Sequence, residues 1–177
     1  AYAIAALAAN WDVFDDKNAL IHALAVLKGA PGRMQMVKVS DAPLVVVDYA
    51  HTPAAIEVAL KALRLHNRGK LICIYGCGGD RDRGKRPLMT KAALNYADVI
   101  CLTSDNPRTE NVQQILDDAL ASQLTCGLHM VEPDRRKAIF DVIANASVND
   151  VILIAGKGHE NYQDIDGVKH HFDDTEI

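Results

Sequence analysis

Asp98-Val-Ile-Cys-Leu-Thr-Ser-Asp-Asn-Pro-Arg108 is an apolar, β-prone run that ends in a polar turn. A helical pattern follows, with Val112, Ile115, Leu116, Ala119 and Leu120 on one face. That order predicts a strand delivering side chains to the carboxyl edge of a parallel sheet, where open α/β folds place their ligands. The turn offers an acid (Asp105), an amide (Asn106), a rigid Pro107 and a guanidinium (Arg108). Arginine forks two bonds onto a carboxylate and aspartate accepts from an amine, so the group suits a ligand carrying both. An Asx-Pro turn with a solvated arginine is the plainer reading, and this stretch alone leaves both open.

The same unit recurs on either side. Leu44-Val-Val-Val-Asp48 reads as a buried strand, and Thr52-Pro53 then caps a helix whose Ile56, Ala59, Leu60 and Leu63 share a face. Leu71-Ile-Cys-Ile-Tyr75 is followed by a glycine-rich loop and a helix from about Pro87 to Ala97. A shorter strand near Leu128–Val131 leads to a helix from Pro133, with Ala138, Ile139, Val142, Ile143 and Ala146 inward. Val151–Ala155 is the most apolar strand, and Gly167–Phe172 is expected to add an edge strand. Strands apolar throughout and separated by helices predict a sheet covered on both faces. The expected fold class is α/β: a Rossmann-like, doubly wound, mostly parallel sheet of about six strands, preceded by a short helical segment. Residues 1–29 carry helical spacing broken near Asn10–Asp16 and look like the tail of a preceding domain, which would make the chain a fragment. The domain division is therefore 1–31 and 32–177.

The chain has 177 residues, 49% apolar and 24% charged, the balance of an ordinary globular protein. A net charge of −4 with seven histidines suggests neither a nucleic-acid nor a membrane partner. No apolar run nears the roughly 20 residues of a membrane span and no signal peptide is evident, so a cytoplasmic location is expected. Cys73, Cys77, Cys101 and Cys126 form no Cys-x-x-Cys pair and read as buried thiols rather than metal ligands or disulfides.

Four loops fall at the carboxyl ends of proposed strands: 48–52, 76–86, 104–108 and 156–160. Gly79–Lys85 reads Gly-x-x-x-x-Gly-Lys, but a P-loop then needs Ser or Thr for magnesium, and Arg86-Pro87 stands there. Arg81, Arg83, Lys85 and Arg86 still make the loop either anion-seeking or a basic loop held by its own Asp80 and Asp82. Asp48 and His51 sit where a strand meets a helix N-terminus, a place that favours phosphate, although an N-cap or turn aspartate and a surface histidine are the plainer readings. Gly156-Lys-Gly-His-Glu160 supplies a carboxylate suited to an ammonium group, or a glycine turn with Glu160 in solvent. No nucleophile with a neighbouring base and no dinucleotide fingerprint appears. The residues themselves thus predict one polar rim binding a small zwitterion and a phosphate, without a complete catalytic apparatus.

Taken together, Asp48-Tyr-Ala-His-Thr-Pro53, Asp105-Asn-Pro-Arg108 and the other two loops resemble the C-terminal domain of the Mur ligases, from about Gly32 to Glu176. The first motif is also similar to that of folylpolyglutamate synthases. The second resembles the branch that adds meso-diaminopimelate, rather than lysine, to UDP-N-acetylmuramoyl-L-alanyl-D-glutamate. The resemblance implies ATP-dependent amide formation through an acyl phosphate, in peptidoglycan precursor synthesis. It implies that Arg81 and Arg108 hold carboxylates of meso-diaminopimelate, with Asp105, Asn106, Pro107, Gly156 and Glu160 completing the pocket and Glu160 facing an ammonium. It also implies that Arg33, Asp48 and His51 reach the nucleotide. Residues 1–31 would end the central ATPase domain, which in this family holds the P-loop and the Mg2+ ligands, so no catalytic or metal-binding residue is expected here. ATP, meso-diaminopimelate and the UDP-MurNAc-dipeptide are the implied partners of a full-length monomer, and the fragment alone should not turn over. A ligase with another acceptor, or a non-catalytic anion- or nucleotide-binding module, are the alternatives.

Overall fold

The computed structural model describes residues 11, 13, 16–26, 29–121 and 130–177. After helix α1 (Lys17–Val26) come β1 (Gln35–Val37), β2 (Leu44–Asp48), α2 (Pro53–Arg64), β3 (Leu71–Cys77), α3 (Lys85–Tyr96) and β4 (Val99–Ser104). They are followed by α4 (Val112–Leu120), β5 (Met130–Val131), α5 (Arg135–Asn145), β6 (Val151–Ala155), β7 (Tyr162–Ile165) and β8 (Val168–His171). Six strands form one sheet in the order β1-β2-β6-β3-β4-β5, parallel except for β1, which pairs antiparallel with β2. The expected doubly wound α/β sheet is present.

Alternation of side chains along the central strands builds two cores. Leu71, Cys73 and Tyr75 of β3 join Val151, Leu153 and Ala155 of β6 beneath α2, α3 and α4. Ile72, Ile74, Ile152 and Ile154 point to the other face, against Ala138, Ile139 and Val142 of α5. With both faces covered, every residue of β3 and β6 is buried, which is why neither strand shows polar alternation in sequence. Helices α2, α4 and α5 start on side-chain caps, whereas α3 starts at Gly84 without one. Thr52 Oγ1 accepts from Ala55 N at 3.2 Å, Asn111 Oδ1 from Gln113 N at 2.8 Å and Asp134 Oδ1 from Lys137 N at 3.1 Å.

Several expectations need correction. The 167–172 tail does not extend the main sheet; β8 pairs only with β7, as a separate antiparallel hairpin. Hairpin geometry prevails because Asp166 and Gly167, both at positive φ, turn the chain back within two residues. The antiparallel strand β1 was not expected, since three residues carry too little pattern. Helix α3 starts at Lys85 rather than Pro87. The helix expected over the first ten residues, and Cys126, Leu128 and His129, lie outside the described residues. Cys73, Cys77 and Cys101 are buried free thiols, and burial pushes each up to about 12.

One buried ion pair fixes the edge of the sheet that carries the loops. Arg135, at the first turn of α5, donates to both carboxylate oxygens of Asp174, at 2.8 and 2.7 Å, and both side chains are fully buried. The same guanidinium donates to Ser104 O at 3.3 Å and Ala155 O at 3.1 Å, the last carbonyls of β4 and β6. Asp174→Ala should therefore lower the unfolding free energy by about 3–5 kcal/mol, because it strands a buried charge. Urea denaturation of the chain measures this, and an unmoved midpoint would mean that water reaches Arg135.

Candidate functional site

The carboxyl ends of β2, β3, β4 and β6 open into one cleft of about 380 Å³. Its lining includes Tyr49 and His51 after β2, Gly76 to Gly78 and Arg81 at and after β3, Asp105, Asn106 and Arg108 after β4, and Gly156 and Glu160 after β6. Six of the seven residues expected at the amino-acid pocket therefore converge, and His51 shares their cleft. Pro107 does not line it. Its carbonyl instead faces Gly79, where a Cβ would lie 1.8 Å from Pro107 O, so only glycine lets the two loops close. Arg33 and Asp48 also stand outside the lining. Arg33 stacks on the Tyr49 ring at 4.7 Å, and the Asp48 carboxylate accepts from Met34 N at 2.8 Å.

The loop after β4 is held open toward the cleft from behind. Arg108 adopts a left-handed backbone (φ 52°), fixed by its N–H donating to Asp164 O at 2.9 Å and by its carbonyl accepting from Asp166 N at 2.8 Å. Gln163 Nε2 donates to Ser104 Oγ and to Asp105 O, at 2.9 and 2.7 Å. The β7–β8 hairpin is thus a brace for residues 104–108, a role that sequence periodicity does not reveal. The Arg108 guanidinium donates to Gly79 O at 2.7 Å and pairs with no carboxylate among the described residues.

The basic loop divides into two kinds of residue. Arg86, grouped above with the anion-seeking side chains, is buried and donates to Asp118 and Glu110, both at 2.7 Å. Arg83 pairs with the other oxygen of Glu110 at 2.9 Å, and Lys85 lies 3.9 Å from Asp82. Arg81 alone of the four has no carboxylate partner among the described residues; its Nη1 donates only to Asp80 O at 3.3 Å. Arg81 and Arg86 both line the cleft, but Arg86 is spent on tying α3 to α4, which leaves Arg81 as the loop's guanidinium without a carboxylate among the described residues.

In the same cleft, Asn106 Nδ2 donates to Glu160 Oε2 at 2.8 Å and the Tyr49 hydroxyl donates to Glu160 Oε1 at 3.3 Å. Gly156 (φ 117°) runs beside Asp105, whose Oδ2 would lie 2.9 Å from a Cβ at that glycine. Asp105 Oδ1 is buried with no hydrogen-bond donor. Burial pushes the Asp105 carboxyl above the usual range, opposed by the charges of Arg135 and Lys157. Lys157, which the sequence reading gave no role, lies behind these lining residues, with its ammonium 3.7 Å from Asp105 and 3.6 Å from Glu160. A lysine between two glycines carries no signal of burial, yet its side chain has no exposed surface.

Hydrogen bonding by Arg86 holds the Glu110 carboxyl down to about 2, helped by Asp80 N–H. A carboxyl lowered on folding contributes stability above its unfolded range, near 4.5, and loses that contribution as pH falls toward 2. Acid titration of the melting temperature should show this loss between about pH 4.5 and 2, and Glu110→Gln should flatten it. An unchanged acid limb would remove Glu110 as the cause.

Residues 32–158 match the family described as Mur ligase, glutamate ligase domain. Two relatives named UDP-N-acetylmuramoyl-L-alanyl-D-glutamate--2,6-diaminopimelate ligase are each 51% identical. The Pseudomonas aeruginosa protein matches over 157 residues, 89% of this chain and 32% of its own length. The Neisseria meningitidis serogroup A protein matches over 176 residues, 98% of this chain and 35% of its own. A solved structure of a ligase with that name superposes with a TM-score of 0.80 at 50% identity, covering 97% of this chain and 35% of that one. The chain thus spans about a third of the length of the relatives it matches.

Proposed function

The chain belongs to the Mur ligase family, and from that premise we propose that it is the acceptor-binding domain of a ligase that adds meso-diaminopimelate to UDP-N-acetylmuramoyl-L-alanyl-D-glutamate. The observation that carries the reading is the charge arrangement of the single cleft. Two guanidiniums without carboxylate partners among the described residues, Arg81 and Arg108, lie in the same cavity as Asp105, Asn106 and Glu160. The distal end of meso-diaminopimelate is a zwitterion, which gives each wall a partner; lysine ends in a bare ammonium and leaves the guanidiniums unpaired.

In this reading Arg81 and Arg108 take carboxylate, Asp105 and Glu160 face ammonium, and Asn106 and Gly156 shape the space between, with Pro107 setting the turn. Arg33, Asp48 and His51 serve the nucleotide side. His51 is in the cleft, and its Nδ1 lies 2.8 Å from Tyr49 O. The domain would carry its bound amine onto an acyl phosphate made elsewhere in the protein, so that catalysis depends on orientation at domain closure. Residues 1–31 would end the central ATPase domain. Among the described residues no three of His, Cys, Asp and Glu gather to hold a metal, and we assign Mg2+ to that central domain. No described helix is long and apolar enough to cross a membrane, and we place the ligase in the cytoplasm as a monomer.

Titration of the chain with meso-diaminopimelate, followed by NMR, should shift residues near 81, 105–108 and 156–160, and L-lysine should not. Equal shifts with both would replace the acceptor. In the full-length ligase Arg108→Ala should raise KM for meso-diaminopimelate about thirtyfold, equivalent to about 2 kcal/mol for a lost charged hydrogen bond. Unchanged kinetics would take Arg108 out of the site.

A further inference from the structure

The ammonium of Lys157 lies beneath the acceptor wall. Its Nζ donates to Asn106 Oδ1 at 3.0 Å and sits 3.7 Å from Asp105 Oδ1 and 3.6 Å from Glu160 Oε2. The backbone N–H of Asp164 also donates to Asn106 Oδ1, at 3.0 Å. With both donors on its oxygen, the amide must turn its Nδ2 toward Glu160, as it does. The other charges that face Lys157 are Arg135 and Asp174. These two spend their strong bonds on each other. The Tyr162 ring flanks the ammonium at 5.6 Å.

Charge at this end of the cleft can be counted. Asp105 and Glu160 bring two negative charges and Lys157 returns one, which leaves one for a ligand to neutralise. A wall with both carboxylates and no Lys157 would demand two cations, or would protonate one acid and turn an acceptor into a donor. The same cleft holds Arg81 and Arg108, which have no carboxylate partners among the described residues. We propose that Lys157 is a positioning residue that sets the acceptor specificity of the cleft. It holds Asp105 and Glu160 as paired acceptors and aims the Asn106 amide, so that the wall offers one net negative charge to one ammonium. The proposal rests on the acceptor-site reading given above.

The test is a double-mutant cycle on steady-state kinetics of the full-length ligase. Lys157→Met and Asp105→Asn should each raise KM for the acceptor about tenfold, with KM for ATP within about twofold of wild type. Combined, they should raise acceptor KM about tenfold in total rather than about a hundredfold, because both remove the same arrangement. Additive losses, an unmoved acceptor KM, or an equal rise in KM for ATP would overturn the proposal. Lys157→Gln keeps a donor to Asn106 without the charge and should behave like Met; wild-type kinetics with Gln would overturn the role of charge. Should the Lys157 variants fail to fold, Asp105→Asn decides alone, and an unchanged acceptor KM there refutes the arrangement. The cycle is run with whichever of meso-diaminopimelate or L-lysine the wild type uses. A preference for lysine would sink the diaminopimelate reading while leaving Lys157 to be judged on that amine.

Discussion

The Arg135–Asp174 pair is the constraint on which the rest of the carboxyl edge depends. Burying two charges is expensive, and a well-packed apolar pair of the same volume is often no worse for stability. What apolar side chains cannot supply here is donors. The strands β4 and β6 are not neighbours, since β3 lies between them, and each ends at a buried residue whose carbonyl needs a donor. One guanidinium reaches both, and Asp174 neutralises it. The residues that follow those two carbonyls are Asp105 and Gly156, so the same interaction that ends the strands sets where two of the cleft's loops begin.

From that pair outward the charges alternate in layers. Arg135 and Asp174 are closed off; above them Lys157 faces Asp105 and Glu160; above those the cleft opens toward Arg81 and Arg108. Burial pushes Lys157 down and Asp105 up, each away from its charged form, and their opposite charges act against both shifts. The Arg135–Asp174 pair is satisfied internally, Asp105 Oδ1 keeps a vacant acceptor, and the guanidiniums of Arg81 and Arg108 meet no carboxylate among the described residues. A ligand therefore meets walls whose orientation is already set by protein contacts, which limits the ordering it must impose on binding.

Much of this was legible before any coordinates. Runs such as Val151–Ala155 have no polar alternation because both faces are covered, and that alone predicts the parallel sheet and the rim on which Asp105, Arg108 and Glu160 meet. The buried arginines also left a trace. Arg135 stands three, four and seven residues before Ala138, Ile139 and Val142, on the face that packs against the sheet, and Arg86 has the same spacing to Met89, Thr90 and Ala93. A cation at a core position of a helix asks for a partner, and that question separates Arg86 from Arg81 where composition groups them. The brace that the β7–β8 hairpin gives residues 104–108 was not legible, because it rests on backbone bonds to Arg108 and on the single polar side chain of Gln163, neither of which makes a periodic pattern. Nor was the burial of Lys157, which depends on how two glycine-flanked turns fold over it.

The sequence distance between Arg135 and Asp174 bears on how the domain is made. At common rates of synthesis the 39 residues from Arg136 to Asp174 take about 2–8 s to add. Throughout that interval the guanidinium has been produced and its counter-ion has not, and β6, which carries Ala155, is itself added within it. The central strand of the sheet is thus inserted late, between β2 and β3, which are already complete. A nascent chain at this stage has a gap in its sheet edge-to-edge, with strand groups free to pair wrongly. On the ribosome, this domain is exposed to misassembly until its last strand and its anchoring aspartate arrive.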